Sequence, residues 1–459
     1  MTAAPEDRKV PLQARLPLAQ HILRHLRLAV PVMLARAGVI IMISVDSIMT
    51  GRAGAADLAH YAISLAPHMI LLVLGIGLLV GTIVLTAQAD GAGKTEECGL
   101  IWSTSLRIGA VLGAVTGLVL LWGEPILLLL GQGPELARGG GRALVMFAAG
   151  MPAMLMYIAT TFFLEGIGRP KAGMLVALSA NLLNAALNWV LIYGHLGAPE
   201  LGAAGAALAT SITRWVMLAA LVGYVLTMAE GTRYGVRAVA SSRLSVVRKV
   251  FRIGAPLSVA IGLETACFST VAIFAGRLGE VPLAGYQVAL NVVTFAFMLA
   301  IGLSTATSVR VANAVGRADR QGMAMAGWTG VGLVACIMLA AGAVIRLLDA
   351  EIAGLYSTEL AVLEVAIPAL TVAALIVVVD GTQAVLMGAL RATGDVLLPT
   401  LSYAFAFWLV AVPAAYVFGL KGDAGVEGLF WGMFAGLCCA LVLLAWRFAL
   451  VARRPVSRI

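Results

Sequence analysis

Charged residues are scarce in this chain. Of its 459 residues only 12% are Asp, Glu, Lys or Arg, whereas 61% are apolar and the mean hydropathy is +0.99. A soluble domain carries roughly 25% charged residues, and a soluble chain of this length would divide into domains with polar surfaces. The shortage of charge therefore excludes an ordinary soluble protein and indicates one that is surrounded by lipid.

Cysteine is also rare, and the motifs of several functional classes are missing. The five cysteines show no C-x-x-C or other metal-ligand spacing. We find no His/Glu metal motif, no G-x-S-x-G and no phosphate-binding loop. There is no repeated filter-like loop of the kind that channels use. These absences argue against a membrane-embedded enzyme and a channel, and we predict no cofactor.

Long uncharged runs are what the sequence has instead. No Asp, Glu, Lys or Arg occurs in 58–89, 143–164, 172–199, 281–309, 321–345 or 396–420. A transmembrane helix needs about 20 such residues. Together with shorter runs, they predict an all-α polytopic membrane protein of about twelve helices, at 26–49, 62–88, 104–131, 141–165, 171–197, 203–229, 250–274, 285–311, 323–346, 361–388, 396–419 and 428–451.

Basic residues are unevenly distributed between the connecting segments. If the amino terminus is inside, most Lys and Arg lie on the cytoplasmic side, as the positive-inside rule requires. The net charge of +8 is therefore interpreted as an orientation signal, and we predict no nucleic-acid partner. Both termini are expected in the cytoplasm, and the basic stretch from Arg233 to Arg252 is expected to link the two halves there.

The chain matches itself at an offset of 225 residues. RLAVPVML, from Arg27, aligns with RIGAPLSV, from Arg252, and MTGRAGAADLAHY aligns without a gap with FAGRLGEVPLAGY. Each half holds six predicted helices, so both halves have the same orientation and should be related by a pseudo-two-fold axis along the membrane normal. Transporters of that design bind substrate between the halves and expose it by rocking one against the other.

The repeat predicts the domain organisation. We expect a cytoplasmic lead-in at 1–25, an N-terminal six-helix lobe at 26–229, a basic linker at 230–249, a C-terminal six-helix lobe at 250–451 and a cytoplasmic tail at 452–459.

Five ionisable residues other than His lie well inside predicted helices: Arg36, Asp46, Arg214, Glu264 and Asp380. A charge at the centre of a membrane helix costs roughly 2.5–3.5 kcal/mol on insertion scales, so such residues usually face a cavity and have a partner. None of the three carboxylates has an acidic counterpart in the other half. For Arg36 and Arg214 we expect a salt bridge to a carboxylate, most simply Asp46.

The acidic residues predict two polar clusters. Glu264 and Asp380 share a neighbourhood with Gln287, Asn291 and other polar residues, which suits Na⁺ or a proton. Asn184 and Asn188 lie on one helix face and, with Thr210, are expected to join Asp46 in a second proton or ion site. For each cluster the alternative is a polar network that only holds helices together.

Several segments together resemble the MATE (multidrug and toxic compound extrusion) family. They are the GRxG–LA–Y segments after helices 1 and 7, ILLLLGQGPEL after helix 3, and LNAALNWVLIYG on helix 5. The chain is similar to the NorM-type branch in carrying a Glu on helix 7, here Glu264, and an Asp on helix 10 followed by G-x-L-R, here Asp380. Some NorM-type members have a Tyr where this chain has Ile376.

The resemblance implies a secondary transporter of the bacterial inner membrane that exports amphipathic, mostly cationic compounds in exchange for Na⁺ or H⁺. It also implies that Gln287 and Asn291 belong to the cation site with Glu264 and Asp380. We expect a monomer that contacts only small organic cations and the lipid bilayer. The alternative is a flippase for a lipid-linked precursor, from the same superfamily, which would want a cavity rich in Arg and Lys.

Overall fold

The computed structural model describes residues 18–237, 243–422, 424–455 and 458–459. In these residues twelve helices are long and apolar enough to cross a membrane, which confirms the predicted fold class. They are α1 Ala19–Ala53, α2 Ala55–Gly91, α3 Thr95–Leu120, α4 Pro134–Gly166, α5 Lys171–Tyr193, α6 Gly202–Thr227, α7 Leu244–Leu278, α8 Glu280–Gly316, α9 Arg320–Leu347, α10 Leu360–Ala392, α11 Leu397–Lys421 and α12 Gly425–Val451.

The third helix departs most from its predicted position. The sequence predicts it over 104–131, but α3 ends at Leu120 and a separate short helix follows at Gly123–Leu129. No uncharged run marks the start of α3, because Glu96 and Glu97 stand in its first turn. Acidic side chains are favourable there, since they complement the partial positive charge of a helix amino terminus.

The sequence repeat reappears in the lengths of the helices. Helices α2 and α8 each contain 37 residues, and α4 and α10 each contain 33. We call α1–α6 the N-lobe and α7–α12 the C-lobe. The predicted lead-in lies mostly outside the described residues, as does 238–242 of the linker; helix α1 already covers residues from Ala19 onward.

The two lobes meet at one end of the bundle. A Cβ atom at Gly81 on α2 would lie 2.5 Å from the Val250 carbonyl oxygen on α7, and one at Gly91 would lie 2.2 Å from that of Asn313 on α8. Only glycine allows backbones to approach this closely. We call this end, where α1 and α7 begin and α2 and α8 end, the closed face.

The opposite end is the open face. Within the described residues, every hydrogen bond between the lobes lies between mid-helix and the closed face; the one nearest mid-helix joins the Ser258 hydroxyl to the Leu74 carbonyl at 3.1 Å. In the other half of α8 the side chains of Gln287, Asn291 and Phe295 are exposed. The lobes therefore enclose a cleft that opens at the ends of α1 and α7.

Candidate functional site

Asp46 on α1 is the centre of a buried cluster in the N-lobe. Its Oδ1 accepts a hydrogen bond from the Asn188 amide at 2.6 Å, and its Oδ2 accepts one from the Thr210 hydroxyl at 2.8 Å. Asn184 links the two partners, since it accepts from Asn188 at 3.2 Å and donates to Thr210 at 3.4 Å. The structure thus brings together all four residues that the sequence groups in this cluster.

Tyr61 on α2 also belongs to this cluster, although the sequence analysis does not place it there. Its hydroxyl donates to Asp46 Oδ2 at 3.1 Å, and the ring is buried. The repeat offers a signal, because Tyr61 aligns with Tyr286. There the hydroxyl donates to the backbone carbonyl of Phe268, at 3.1 Å, since the position equivalent to Asp46 is Val271. Of the two equivalent tyrosines, the one in the N-lobe therefore donates to a carboxylate, and the one in the C-lobe donates to a backbone carbonyl.

The hydrogen bonds around Asp46 fit an ionised carboxylate that can accept a proton. Three donors, from Asn188, Thr210 and Tyr61, point at its two oxygens. The buried Oδ1 of Asn188 has no hydrogen-bond partner. Buried polar atoms are normally paired, so an orphan acceptor beside a carboxylate suits a site that takes up a proton or a cation.

Arg214 on α6 does not form the predicted salt bridge. Its Nη1 lies 3.0 Å from Nε2 of His68, and its guanidinium group stands 5.7 Å from the centre of the Phe147 ring. His68 stacks on the same ring at 4.3 Å. Asp46 is near enough for its charge to act on Arg214, but no ion pair joins them within the described residues. The prediction of a carboxylate partner is wrong because the buried His68 imidazole and the face of the Phe147 ring lie against the Arg214 guanidinium instead.

Arg36 on α1 has a different carboxylate partner from the one predicted. Its Nη2 lies 3.8 Å from Oε1 of Glu165 on α4, rather than near Asp46. Glu165 is buried, and the charge of Arg391 on α10 also acts on it. Arg36 and Asp46 are ten residues apart on one helix, so they point to different levels of the bundle. Glu165 is not among the predicted intramembrane charges because it stands at the end of a predicted helix.

Glu264 and Asp380 form the candidate site of the C-lobe. Asp380 on α10 is buried, and its Oδ1 accepts a hydrogen bond from the Gln383 amide at 3.0 Å. Glu264 on α7 is half-buried, and the two carboxylates are close enough to interact electrostatically. Tyr403 on α11 lies near both. Two neighbouring carboxylates are a natural place for a shared proton or another monovalent cation.

Helix α11 is irregular where it packs beside Glu264. The segment Phe405–Ala411 is π-helical. The Trp408 indole donates to the Leu263 carbonyl at 3.2 Å, and the Cys267 thiol donates to the Phe407 carbonyl at 3.8 Å. Interruptions of this kind occur frequently at functional sites, because they change which side chains face a neighbour.

Gln287 and Asn291 lie on α8 and make their hydrogen bond within that helix. Both lie on an exposed stripe of α8, and the Asn291 amide donates to the carbonyl of Gln287 at 2.9 Å. No hydrogen bond joins either residue to Glu264 or Asp380 among the residues described. Their predicted place in the cation site stays a prediction. The structure shows them at exposed positions in the half of α8 nearer the open face.

Comparison with known proteins gives a family for this arrangement. The family model described as MatE matches residues 31–190 and 256–417, so it matches each lobe once. The chain belongs to the MatE family. A probable multidrug resistance protein NorM of Caulobacter vibrioides is 32% identical over 443 residues, covering 96% of this chain and 94% of its own length. The multidrug resistance protein PmpM of Pseudomonas aeruginosa is 31% identical, covering 98% and 95%.

Solved structures agree with the fold. A eukaryotic MATE transporter superposes with a TM-score of 0.84 at 21% identity, covering 96% of this chain and all of its own. A MATE transporter of Vibrio cholerae reaches 0.86 at 18% identity, covering 95% and 98%. The family membership confirms the resemblance seen in the sequence, to the MATE family and its NorM-type branch. It also confirms the predicted class of function: a multidrug efflux transporter, not an enzyme.

Proposed function

We propose that this MatE protein exports amphipathic, mostly cationic compounds in exchange for Na⁺ or H⁺ by alternating access. It would act as a monomer in the bacterial inner membrane, with both termini in the cytoplasm. The observation that carries the proposal is the pair of carboxylates in the C-lobe, half-buried Glu264 and buried Asp380, which are close enough to interact.

Competition for this pair would couple the two fluxes. Glu264 is half-buried and has no hydrogen-bond partner in the described residues, so its charge is available to an organic cation or to the coupling ion. Two cations cannot both be held stably by the same carboxylates. Exchange of one monovalent cation for another is electroneutral, so a tenfold ion gradient would contribute about 1.4 kcal/mol for each ion.

The N-lobe cluster supports a proton rather than Na⁺. Tyr61, Thr210 and Asn188 all point hydrogen atoms at Asp46, whereas a metal cation needs oxygen lone pairs pointing inward. A proton on Asp46 would need an acceptor, and the orphan Oδ1 of Asn188 can supply it if the amide rotates. We infer that Asp46 takes up a proton when the hydrogen bonds around it rearrange.

The orientation follows from the distribution of charge. If the closed face is cytoplasmic, as the positive-inside rule suggests, the structure is the outward-open state. Drug release and entry of the coupling cation would both take place from the open cleft.

Two observations disfavour the flippase alternative. An anionic lipid-linked substrate would need free cations in the cleft, but Arg36 faces Glu165 and Arg214 faces His68 and Phe147. Glu264 is half-buried, and its carboxylate carries a charge of the same sign as such a substrate.

Transport by purified protein in liposomes tests the proposal. Ethidium movement is measured with a Na⁺ gradient and a pH gradient imposed separately, on wild type, Glu264→Gln and Asp380→Asn. We expect each variant to lose at least tenfold in initial rate under whichever gradient drives the wild type. Glu364→Gln, on an exposed face of α10, is the matched control and should transport normally.

The outcomes separate the remaining alternatives. Transport driven by Na⁺ alone assigns the C-lobe pair to Na⁺, and transport driven by the pH gradient alone assigns it to protons. Normal transport by both carboxylate variants would defeat the proposed site. If neither gradient moves ethidium in the wild type, the export proposal itself fails.

A further inference from the structure

A basic groove lies on the closed face, where the two lobes meet. It has a volume of about 320 Å³ and is lined by Arg24 and Arg27 of α1, and by Arg310 and Arg317 at the end of α8. Leu28, Ile167 and Val309 form an apolar part of the same wall. Arginines from both lobes therefore surround one concavity that is part charged and part apolar.

The partners of Arg310 satisfy its hydrogen bonds without neutralising its charge. The guanidinium contacts the His21 carbonyl at 2.9 Å, the His21 ring at Nδ1 at 2.7 Å, and the ring of His25. Both rings are buried. Because these acceptors are uncharged, the positive charge of Arg310 still acts on the groove. The charge of Arg24 repels it.

Acidic residues balance only part of this charge. Asp90 faces the groove and accepts a hydrogen bond from Tyr234 at 3.3 Å. Asp319 is engaged in capping α9, where it accepts from the Gly322 N–H at 2.8 Å. Burial lowers the pKa of Arg317 and the charge of Arg24 adds to this, although Asp319 and Asp90 oppose it. Four guanidinium groups thus line a groove with one carboxylate, Asp90, in its wall, and the charge of Asp319 acts on Arg317 from outside it.

A second cavity continues the basic surface. It has a volume of about 580 Å³, shares Arg27, Leu28 and Gly168 with the first, and adds Arg169 and Lys171. Arg169 is paired with Glu230, and the pKa of the Glu230 carboxyl is lowered by a hydrogen bond to its own backbone and by the contact with Arg169. Together the two cavities form a larger basic surface with apolar side chains alongside.

We propose that this groove binds a phosphate-bearing anion, the headgroup of an anionic phospholipid, across the junction of the two lobes. Planar guanidinium groups match phosphate oxygens in pairs, and four of them converge here. A headgroup fits better than free phosphate because Leu28, Ile167 and Val309 offer contacts to an acyl chain. Basic pockets between transmembrane helices on the cytoplasmic side are known sites for anionic headgroups.

Occupancy would favour the state in which this face is closed. Arg24 and Arg27 belong to the N-lobe, whereas Arg310 and Arg317 belong to the C-lobe end of the groove. A bound anion would join the lobes and remove the repulsion between Arg24 and Arg310. The binding itself does not depend on the proposed export of drugs, since it concerns a different face and different residues.

Binding is tested on the full-length purified protein in detergent. Native mass spectrometry and thermal melting follow titration with phosphatidylglycerol, cardiolipin, phosphatidylcholine and inorganic phosphate. The groove variant carries Arg24→Gln and Arg317→Gln, both at exposed positions. The matched control carries Arg248→Gln and Arg453→Gln, which are exposed near the same face but do not line the groove.

We expect the anionic lipids to bind and stabilise the wild type and the control, and phosphatidylcholine to do neither. The groove variant should bind anionic lipid roughly thirtyfold more weakly, because it lacks two basic side chains that would lie near the anionic headgroup. A variant with Arg24→Lys and Arg317→Lys keeps the positive charges but loses the paired N–H donors of the guanidinium groups. It should bind with intermediate affinity. If the wild type binds inorganic phosphate to saturation but no lipid, and the groove variant does not bind phosphate, the proposed lipid ligand is wrong. The groove would then be a site for a free anion. Equal lipid affinity of wild type and groove variant would overturn the proposal.

Discussion

At the scale of single residues, the intramembrane charges show how partners far apart in the sequence satisfy one another. Glu165 is buried on α4, and its neighbours are Arg36 on α1 and Arg391 on α10. Arg391 comes from the other lobe and occupies nearly the position that Glu165 has in its own half. A carboxylate in one repeat and a guanidinium in the other thus act on each other's charge across the junction of the lobes.

Removing the Glu165 charge should destabilise the protein. In Glu165→Gln the cations Arg36 and Arg391 lose a buried carboxylate that acts on both. We expect a loss of about 3 kcal/mol, because an uncompensated buried charge is costly. Thermal melting in detergent measures the effect. Glu124→Gln, in the exposed pair with Arg138, is the control and should change stability by less than about 1 kcal/mol. Equal melting of the two variants would contradict the prediction.

At the scale of helices, the contact between the lobes depends on glycine. Gly81 and Gly91 on α2 sit against backbone atoms of α7 and α8, where no side chain fits. Elsewhere glycines have free space: nothing lies within 4 Å of a Cβ placed at Gly332 on α9. The same residue type therefore has different consequences at a helix crossing and on a lipid-facing surface.

A methyl group at the crossing should open the closed face. In Gly81→Ala the new Cβ would meet the Val250 backbone at 2.5 Å, so the lobes must separate while each stays folded. The measurement is the rate at which a maleimide labels Ser258→Cys, a position buried between the lobes, in a background without native cysteines. We expect at least fivefold faster labelling with Gly81→Ala, and no change with Gly332→Ala. An unchanged labelling rate in Gly81→Ala would show that the helix crossing accommodates the methyl group without separation of the lobes.

At the scale of the whole molecule, two six-helix lobes touch from mid-helix to the closed face and part towards the open one. Within the described residues, their hydrogen bonds include Gln88 to the Ala392 carbonyl at 2.9 Å and Ser258 to that of Leu74 at 3.1 Å. Both polar clusters lie within single lobes, at Asp46 and at Glu264 with Asp380. Motion of the lobes as bodies would therefore leave each cluster intact while it changes access to the cleft.

Linking the lobes at their contact should stop transport. A short bis-methanethiosulfonate reagent would bridge Leu74→Cys and Ser258→Cys, which lie side by side between α2 and α7. We expect ethidium transport to fall at least tenfold and to return on reduction. The control bridges Thr82→Cys and Ser105→Cys, which lie within one lobe, 2.8 Å apart at their native hydroxyls. Transport that continues with the lobes fully linked would argue against alternating access.

Much of this protein follows from properties that are local in the sequence. Uncharged runs predict twelve helices, because each helix must meet lipid by itself. The offset of 225 residues predicts two lobes of like orientation. The spacing of Asn184 and Asn188 predicts a shared face, and the structure turns that face to Asp46. The third helix is misplaced because the charges at its first turn are tolerated at the membrane edge.

Tertiary structure alone decides which charges meet. Nothing in the sequence near Arg36 points to Glu165, and nothing near Arg214 points to His68; these pairs depend on how α1 packs beside α4 and α6 beside α2. The basic groove likewise exists only because α1 and α8 come together at the closed face. Hydrophobicity and helix period act on each segment separately, whereas ion pairs and cavities depend on distances between segments, which the packing of the whole bundle sets.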